Sequence, residues 1–400
     1  MPTAAPSLPA SSAKLRAWWW HRQGLDGSLR GASPAEVLRR SGWARSVGGV
    51  GPYLTLHARA GTSRAAADEA VARLEIHELP SARGCTYVVP AEDFALALRV
   101  GRDFGGGDFK AATKLGVTDA EVARLGEAVL VALDAGPLEP DALRDATGGL
   151  WRSLGEEGKK KGIGTTLPLA LGRLQASGDI RRVPVNGRLD QQRYAYARWS
   201  PNPLAGAPDD PADAYVELAR RYFAWVGPAT AREFQFFSGL GVKAAAQAMA
   251  PLGLLPADGG DRLLPPEDAA AFAACEPEES PRYALVSNLD ALFAARREVA
   301  SLLDEGDRPA LAAAAAGPMV GFNDLPSHAI ADRGRLVGLW EYDPDARAIA
   351  WRAWVPATPA LLAAVEATEG WIRDEVGDAR AFSLDSPKSR RGRIEALRKG

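Results

Sequence analysis

Ten basic side chains crowd into residues 151–200: Arg152, Lys159, Lys160, Lys161, Arg173, Arg181, Arg182, Arg188, Arg193 and Arg198, against the acids Glu156, Glu157, Asp179 and Asp190. That is a local charge of +6 in a chain of formal net charge −2, so the remaining residues carry −8. Cations at this density can neutralise phosphates and displace the counterions condensed on nucleic acid. Signals for other chemistry are missing. His21, His57, His77 and His328 show no HExxH or other close ligand spacing and read as structural or surface histidines. Cys85 and Cys275 are too few for a disulfide framework or a cysteine-rich zinc site. The stretch "GKKKGIGTT" (158–166) has lysines and glycines but not the GxxxxGK[ST] spacing, and no nucleophile elbow occurs. Neither a metal nor a cofactor is expected. Trp18, Trp19 and Trp20 sweep most of a helical turn, which leaves core packing and an exposed base-unstacking wedge both open.

The elements that would position these residues follow from periodicity and caps. After a flexible tail (1–12), helices are expected near 13–24, 34–43, 52–60 and 64–73, followed by the extended "LEIHELP" and "GCTYVVP", giving a first unit over 13–104. A connector around Gly105-Gly106-Gly107 leads to Thr118, which with Asp119 and Glu121 caps a helix reaching Leu133. Helix signals at 139–146 and 166–177 and the hairpin 179–199 complete a second unit, 118–199. The hairpin alternates about Asn186-Gly187, a pair suited to a two-residue type I′ turn, and Pro184 marks an edge or a projecting ribbon. Its Tyr194, Tyr196 and Trp199 either pack beneath the strands or touch sugars. A Pro-rich linker (200–211) precedes a third unit, 212–270, in which Thr230 and Glu233 fit a capping box. Residues 281–378 alternate with period two in "YALVS", "PMVGFN", "AIADRGRLVGLWEYD" and "RAIAWRAW", as a small antiparallel barrel or sheet closed by a helix. The basic tail 385–400 is expected to fray. Helix, helix, helix, hairpin is the order of a winged helix, so the fold class is α+β: three tandem winged-helix units followed by a small C-terminal β-barrel. No apolar run is long enough for a membrane span and the first residues lack a signal pattern, so a cytoplasmic protein is expected.

Residues 158–199, "GKKKGIGTTLPLALGRLQASGDIRRVPVNGRLDQQRYAYARW", with "GPATAREFQFFSGL" (227–240), resemble the bacterial winged-helix family of AlkZ-type and YcaQ-type DNA glycosylases for interstrand cross-link repair. "WWWHRQGL" (18–25), "PYLTLHARAG" (52–61) and "ARGCTYVVP" (82–90) also look related. The resemblance implies three tandem winged-helix units and a barrel forming a concave DNA-binding surface, and excision of alkylated or cross-linked purines. It further implies a Gln-x-Gln or Gln-x-Asp pair just before the aliphatic helix, which positions the attacking water. Anchored on Gly51-Pro52-Tyr53-Leu54, that position reads Arg45-Ser46-Val47. An arginine there would repel a developing oxocarbenium ion, and Val47 offers no hydrogen bond. Gln23 and Asp26 at the neighbouring helix end are the available substitutes, Gln23 belonging also to the Gln-Gly-Leu helix end. Arg45 is either a phosphate or opened-duplex contact or a plain surface arginine.

The expected partner is therefore double-stranded DNA, damaged DNA included, with no membrane and no obligate protein partner. Its contacts would be Lys159, Lys160, Lys161, Arg173, Arg181, Arg182, Arg188, Arg193 and Arg198. Hydrolysis of the glycosidic bond would be weak, changed or absent. A non-enzymatic winged-helix transcription regulator is the alternative, and an unrelated enzyme with an incidental basic hairpin a third reading.

Overall fold

The computed structural model describes residues 11–102, 104, 106–207, 210–315 and 323–399. The tail 1–10, Gly105 and most of the expected strand "PMVGFN" lie outside them.

Hydroxyl caps fix where many helices start, because each satisfies a backbone N–H that has no partner within the helix. Ser11 caps α1 (Ser12–Arg22) and Ser33 caps α2 (Pro34–Ser41). The short β1 (Ala44–Arg45) is followed by α3 (Gly51–Ala60), the Ser63-capped α4 (Arg64–Ala72), β2 (Ile76–Pro80) and β3 (Thr86–Pro90). α5 (Phe94–Arg102) and α6 (Gly106–Thr113) lead to Thr118, which caps α7 (Asp119–Leu133). Next come α8 (Pro140–Ala146), α9 (Gly155–Lys160), α10 (Leu167–Ala176), β4 (Ile180–Pro184) and β5 (Tyr194–Arg198). A further set comprises α11 (Pro211–Val226), β6 (Ala229–Thr230), α12 (Ala231–Ser238), α13 (Val242–Met249), β7 (Leu255–Ala257) and β8 (Arg262–Leu264). The Thr230–Glu233 capping box is present.

One arrangement recurs through these sets. A helix is followed by a short extended piece, two or three helices and two strands, and the last strand pairs with the short piece. β3 lies between β1 and β2, β8 between β6 and β7, and β5 pairs with β4 while exchanging both backbone hydrogen bonds with Leu138. The protein is thus a mixed helix-and-sheet fold.

The rest comprises α14 (Ala269–Ala274), β9 (Tyr283–Val286), α15 (Ala291–Ala294), α16 (Arg308–Ala314), β10 (His328–Asp332), β11 (Arg335–Asp343), β12 (Ala348–Ala353), α17 (Pro359–Trp371) and α18 (Pro387–Arg398). β9–β12 form an antiparallel sheet in the order β12-β11-β10-β9. Among the described residues this sheet stays open and does not close into the expected barrel. Four strands are too few to curl the first onto the last around a packed interior, and α17 and α18 pack against the sheet instead.

Three more expectations change. The tryptophans of α1 do not join the first unit; they enter a core shared with β7, β8, α14 and the C-terminal sheet. The Asn186-Gly187 turn is not type I′. Pro184 O accepts from Gly187 N, placing Val185 and Asn186 at its centre, and only Gly187 has positive φ (75°). Pro184 pairs with Tyr194, so residues 185–193 form a long loop between the strands, drawn away from the ribbon by the buried Leu189. Residues 387–398, expected to fray, are helix: Arg390 is wholly buried on Asp378, Arg393 binds Glu341 and Asp385, and Ile394 and Leu397 enter the core. The second unit alone keeps a separate core, drawn from residues 109–196, while the other clusters interleave distant segments.

Candidate nucleic-acid interface and motif position

The basic side chains of the second unit divide into three groups. Lys160 and Lys161 are exposed, with no acidic partner among the described residues. Lys159, Arg173, Arg193 and Arg198 are exposed but paired with Glu156, Asp119, Glu139 and Asp134 at 2.7, 2.5, 3.6 and 3.0 Å. Exposed pairs of this kind are weak in water, and phosphates can compete for their cations. Arg188 has turned inward: Asp190 takes it bidentately and the Val376 carbonyl accepts from Nη2 at 2.9 Å. Its geometry removes it from the expected DNA-facing set. The reason is the same inward pull, with Leu189 N donating to Tyr53 Oη at 2.8 Å.

Arg181 and Arg182 sit half-buried at the base of the hairpin, Arg182 5.2 Å from the Tyr194 ring. Beneath them lies His77, fully buried and edge-on to Trp199 and Phe94 at 5.3 and 6.0 Å. Trp199 therefore packs rather than reaching for sugars. Burial, then the charges of Arg181 and Arg182, push the His77 pKa down to about 3. The unfolded chain binds this proton more readily, so His77 costs stability as pH falls from about 6.5 toward 3 and nothing above that window. Urea unfolding at pH 7, 6 and 5 should show a loss of up to about 1.4 kcal/mol per pH unit from this group. His77→Phe should flatten that slope; an unchanged slope would reject the assignment.

At the motif position, alternation along the first sheet separates the three side chains. Ser46 shares a face with Glu78 and donates to its Oε1 at 2.5 Å; Ser46 is 1% and Glu78 4% exposed. Arg45 lies on the other face, 5.4 Å from the Tyr87 ring. Its Nη1 is buried without a hydrogen-bond partner. Burial, and less strongly the charge of Arg83, pull its pKa below the ordinary value. The loop that follows is held by residues 379–385, which run across it as a strap. Ser383 N donates to Val47 O, Val50 N to Arg380 O, and Arg380 Nε to Gly48 O, at 2.9, 2.9 and 3.0 Å.

Arg45 opens onto a cavity of about 130 Å³ walled by Trp43, Tyr87, Trp225, Phe236 and Phe237, with Arg83 beside it. Phe236 also lines a cavity of about 430 Å³ that holds Arg232, Arg262, Arg296 and Arg297 with Glu233 and Glu298. The guanidinium groups of Arg83 and Arg297 lie 3.9 and 4.6 Å from the Phe236 ring. Both arginines adopt left-handed backbone, φ 57° and 52°.

A family model described as DNA glycosylase AlkZ-like matches residues 50–374. The chain belongs to the AlkZ-like DNA glycosylase family. The solved structure of Streptomyces sahachiroi DNA glycosylase AlkZ is similar in fold, with a TM-score of 0.67 and 20% identity over 94% of this chain and 99% of that one. No curated protein matches.

In this AlkZ-like chain Arg45-Ser46-Val47 and the strap lie just beyond the two ends of the matched region. The substitutes considered for the motif are engaged elsewhere. Gln23 is buried; its Nε2 donates to Trp225 O at 2.9 Å and its Oε1 accepts from Arg59 at 2.8 Å. Asp26 accepts from Ser28 and pairs with His21, which holds its pKa at about 2. Trp18, Trp19 and Trp20 are all buried, and Arg296 lies 3.8 Å from the Trp19 ring, so none is a wedge. Among the described residues no group of three His, Cys, Asp or Glu is placed to hold a metal, and no helix is long and apolar enough to cross a membrane. The Arg83–Phe236–Arg297 cluster had no sequence signal: its members are far apart in the chain, and neither arginine is of a type that advertises positive φ.

Proposed function

We propose that this AlkZ-like protein binds duplex DNA, damaged duplex included, through three winged-helix units, and that its glycosidic hydrolysis is weak, changed or absent. The recurring helix, short strand, helices and hairpin support the winged-helix reading. Lys160, Lys161, Arg181 and Arg182 carry the phosphate contacts, joined by Lys159, Arg173, Arg193 and Arg198 once DNA displaces their acidic partners.

One observation carries the reading of the chemistry. Ser46 is held on the buried Glu78, so the other two side chains of the motif position are a guanidinium and an isopropyl. Neither can accept a hydrogen bond or a proton from the attacking water, and the cation would raise the energy of an oxocarbenium-like transition state.

Duplexes carrying N7-alkylguanine or a nitrogen-mustard cross-link should be bound yet yield little or no strand scission after abasic-site cleavage. Arg181→Glu with Arg182→Glu should weaken binding about tenfold and lower the salt slope by about two. Efficient excision would overturn the chemical half of the proposal, and unaltered binding by the double variant the interface half.

A further inference from the structure

We propose that the cavity between the end of α3 and α17 binds an organic phosphate monoester. This goes beyond the DNA-binding reading and does not depend on it. The cavity lies at the opposite end of α3 from the motif loop, about 15 Å away along a ten-residue helix.

Its volume is about 430 Å³, and its walls come from the residues after α1, the last turns of α3, β9 with the residue before it, and α17. Every charged group that lines it is basic: Arg30, His57, Arg282 and the fully buried Arg59, with no carboxylate among the described residues. Arg59 is already bound to Asp290 and Gln23. Arg30 and Arg282 are exposed, and neither guanidinium has a hydrogen-bond or ion-pair partner among the described residues. Acids close by are engaged: Asp332 accepts from Arg282 N and binds Arg333 bidentately, and Glu375 accepts from Arg64 N. Like charges gathered without compensation repel one another, and an anion between them removes that cost.

The donors are held in place. Arg282 Nη1 lies 3.3 Å from where a Cβ on Gly27 would stand, and Arg30 Nη1 2.5 Å from that of Gly61, so both guanidinium groups fill space that glycine leaves. His57 is stacked on Trp371 with ring centroids 4.0 Å apart, and its Nδ1 lies 3.3 Å from the Thr62 carbonyl, which can only accept. Nε2 is then the nitrogen left for a ligand: it accepts a phosphate O–H or, once protonated, donates to the dianion. Tyr283 Oη accepts from Thr358 at 3.5 Å and keeps its own proton to donate, while Thr368 is turned to its own helix, on Ala364 O at 2.9 Å.

Charge and size select the ligand. A phosphate monoester brings about two negative charges and three acceptor oxygens, which suit two guanidinium forks; a carboxylate brings one charge and two oxygens, and a backbone phosphodiester one charge. A phosphate group, with the bulk of a few waters at ~30 Å³ each, leaves most of the cavity open. Ala58, Ala284, Ala364 and Ala367 offer the remaining space an apolar wall, so the phosphate carries an attached group about the size of a sugar.

Isothermal titration calorimetry on the full chain can compare 2-deoxyribose 5-phosphate, inorganic phosphate, unphosphorylated 2-deoxyribose and succinate. The sugar phosphate should bind at least about tenfold more tightly than inorganic phosphate, and the sugar and the dicarboxylate should give no saturable heat. Arg30→Gln and Arg282→Gln should each weaken sugar-phosphate binding about tenfold or more. Arg391→Gln, which removes an exposed arginine of α18 outside the cavity, should leave it unchanged. A short duplex then separates two sources of the same group. Displacement by a duplex with 5′-phosphates, but not by one with 5′-hydroxyls, assigns the site to a DNA strand end; displacement by neither assigns it to a free small molecule. No sugar-phosphate binding, succinate bound as tightly, displacement by the 5′-hydroxyl duplex, or an equal loss in the Arg391 variant would each overturn the proposal. None of these outcomes bears on duplex binding by the second unit, and the ligand comparison on the wild-type protein stands even where a variant fails to fold.

Discussion

Asp290→Ala is expected to lower unfolding free energy by about 3–5 kcal/mol, the cost of leaving a buried charge without its partner. Arg59 on α3 binds both Asp290 carboxylate oxygens at 2.8 Å, and both side chains are fully buried. The same guanidinium donates to Gln23 at the end of α1, and Asp290 accepts from Leu292 N to cap α15. Three distant segments therefore meet on one ion pair. Denaturant midpoints measure the loss, and a change below about 1 kcal/mol would show that water reaches the guanidinium. Arg59→Met combined with Asp290→Leu should recover much of it, since an apolar pair of similar volume carries no desolvation cost.

Gly49→Ala should be comparably damaging, about 3 kcal/mol, for a steric reason. A Cβ there would stand 2.4 Å from Ala381 O and 2.5 Å from both Ala381 C and Arg380 O, all backbone atoms that cannot rotate aside. The strap must lift, breaking its hydrogen bonds to Val47 and Val50. Limited proteolysis should find new cleavage within 379–385, alongside a lower melting temperature. Gly392→Ala, whose added Cβ meets nothing within 4 Å, is the control. A Gly49→Ala protein as resistant as that control would mean that the strap does not clamp the loop.

Local features were legible in the sequence where their causes are local. Ser and Thr caps gave helix starts, and alternation gave strands, because both depend on neighbours within a few residues. The Asn186-Gly187 reading failed where a distant contact won: burying Leu189 outweighs a tight turn. Paired left-handed residues occur instead at Arg333-Gly334, φ 47° and 86°, between β10 and β11. The C-terminal arginines looked like a solvated tail because their acids, Glu341, Asp378 and Asp385, lie 8 to 52 residues away from them. On the basic hairpin, Arg181 and Arg182 were singled out by charge alone, but the inward turn of Arg188 was not foreseeable because Val376 and Tyr53 could not be seen beside it. The cavity at Arg45 was invisible for the same reason, its walls coming from residues 41 to 324.

The strap and α18 also bear on the order of synthesis. Residues 379–398 leave the ribosome after the loop they clamp, the hairpin loop that Arg380 touches, and the sheet that Arg390 and Arg393 cover. A nascent chain stopped before them can fold the second unit, whose core is its own, and can present its cations early. The loop at Val47 is clamped only once residues 379–398 have been made, so the basic unit and the motif position reach their final shapes at different moments in the life of the molecule.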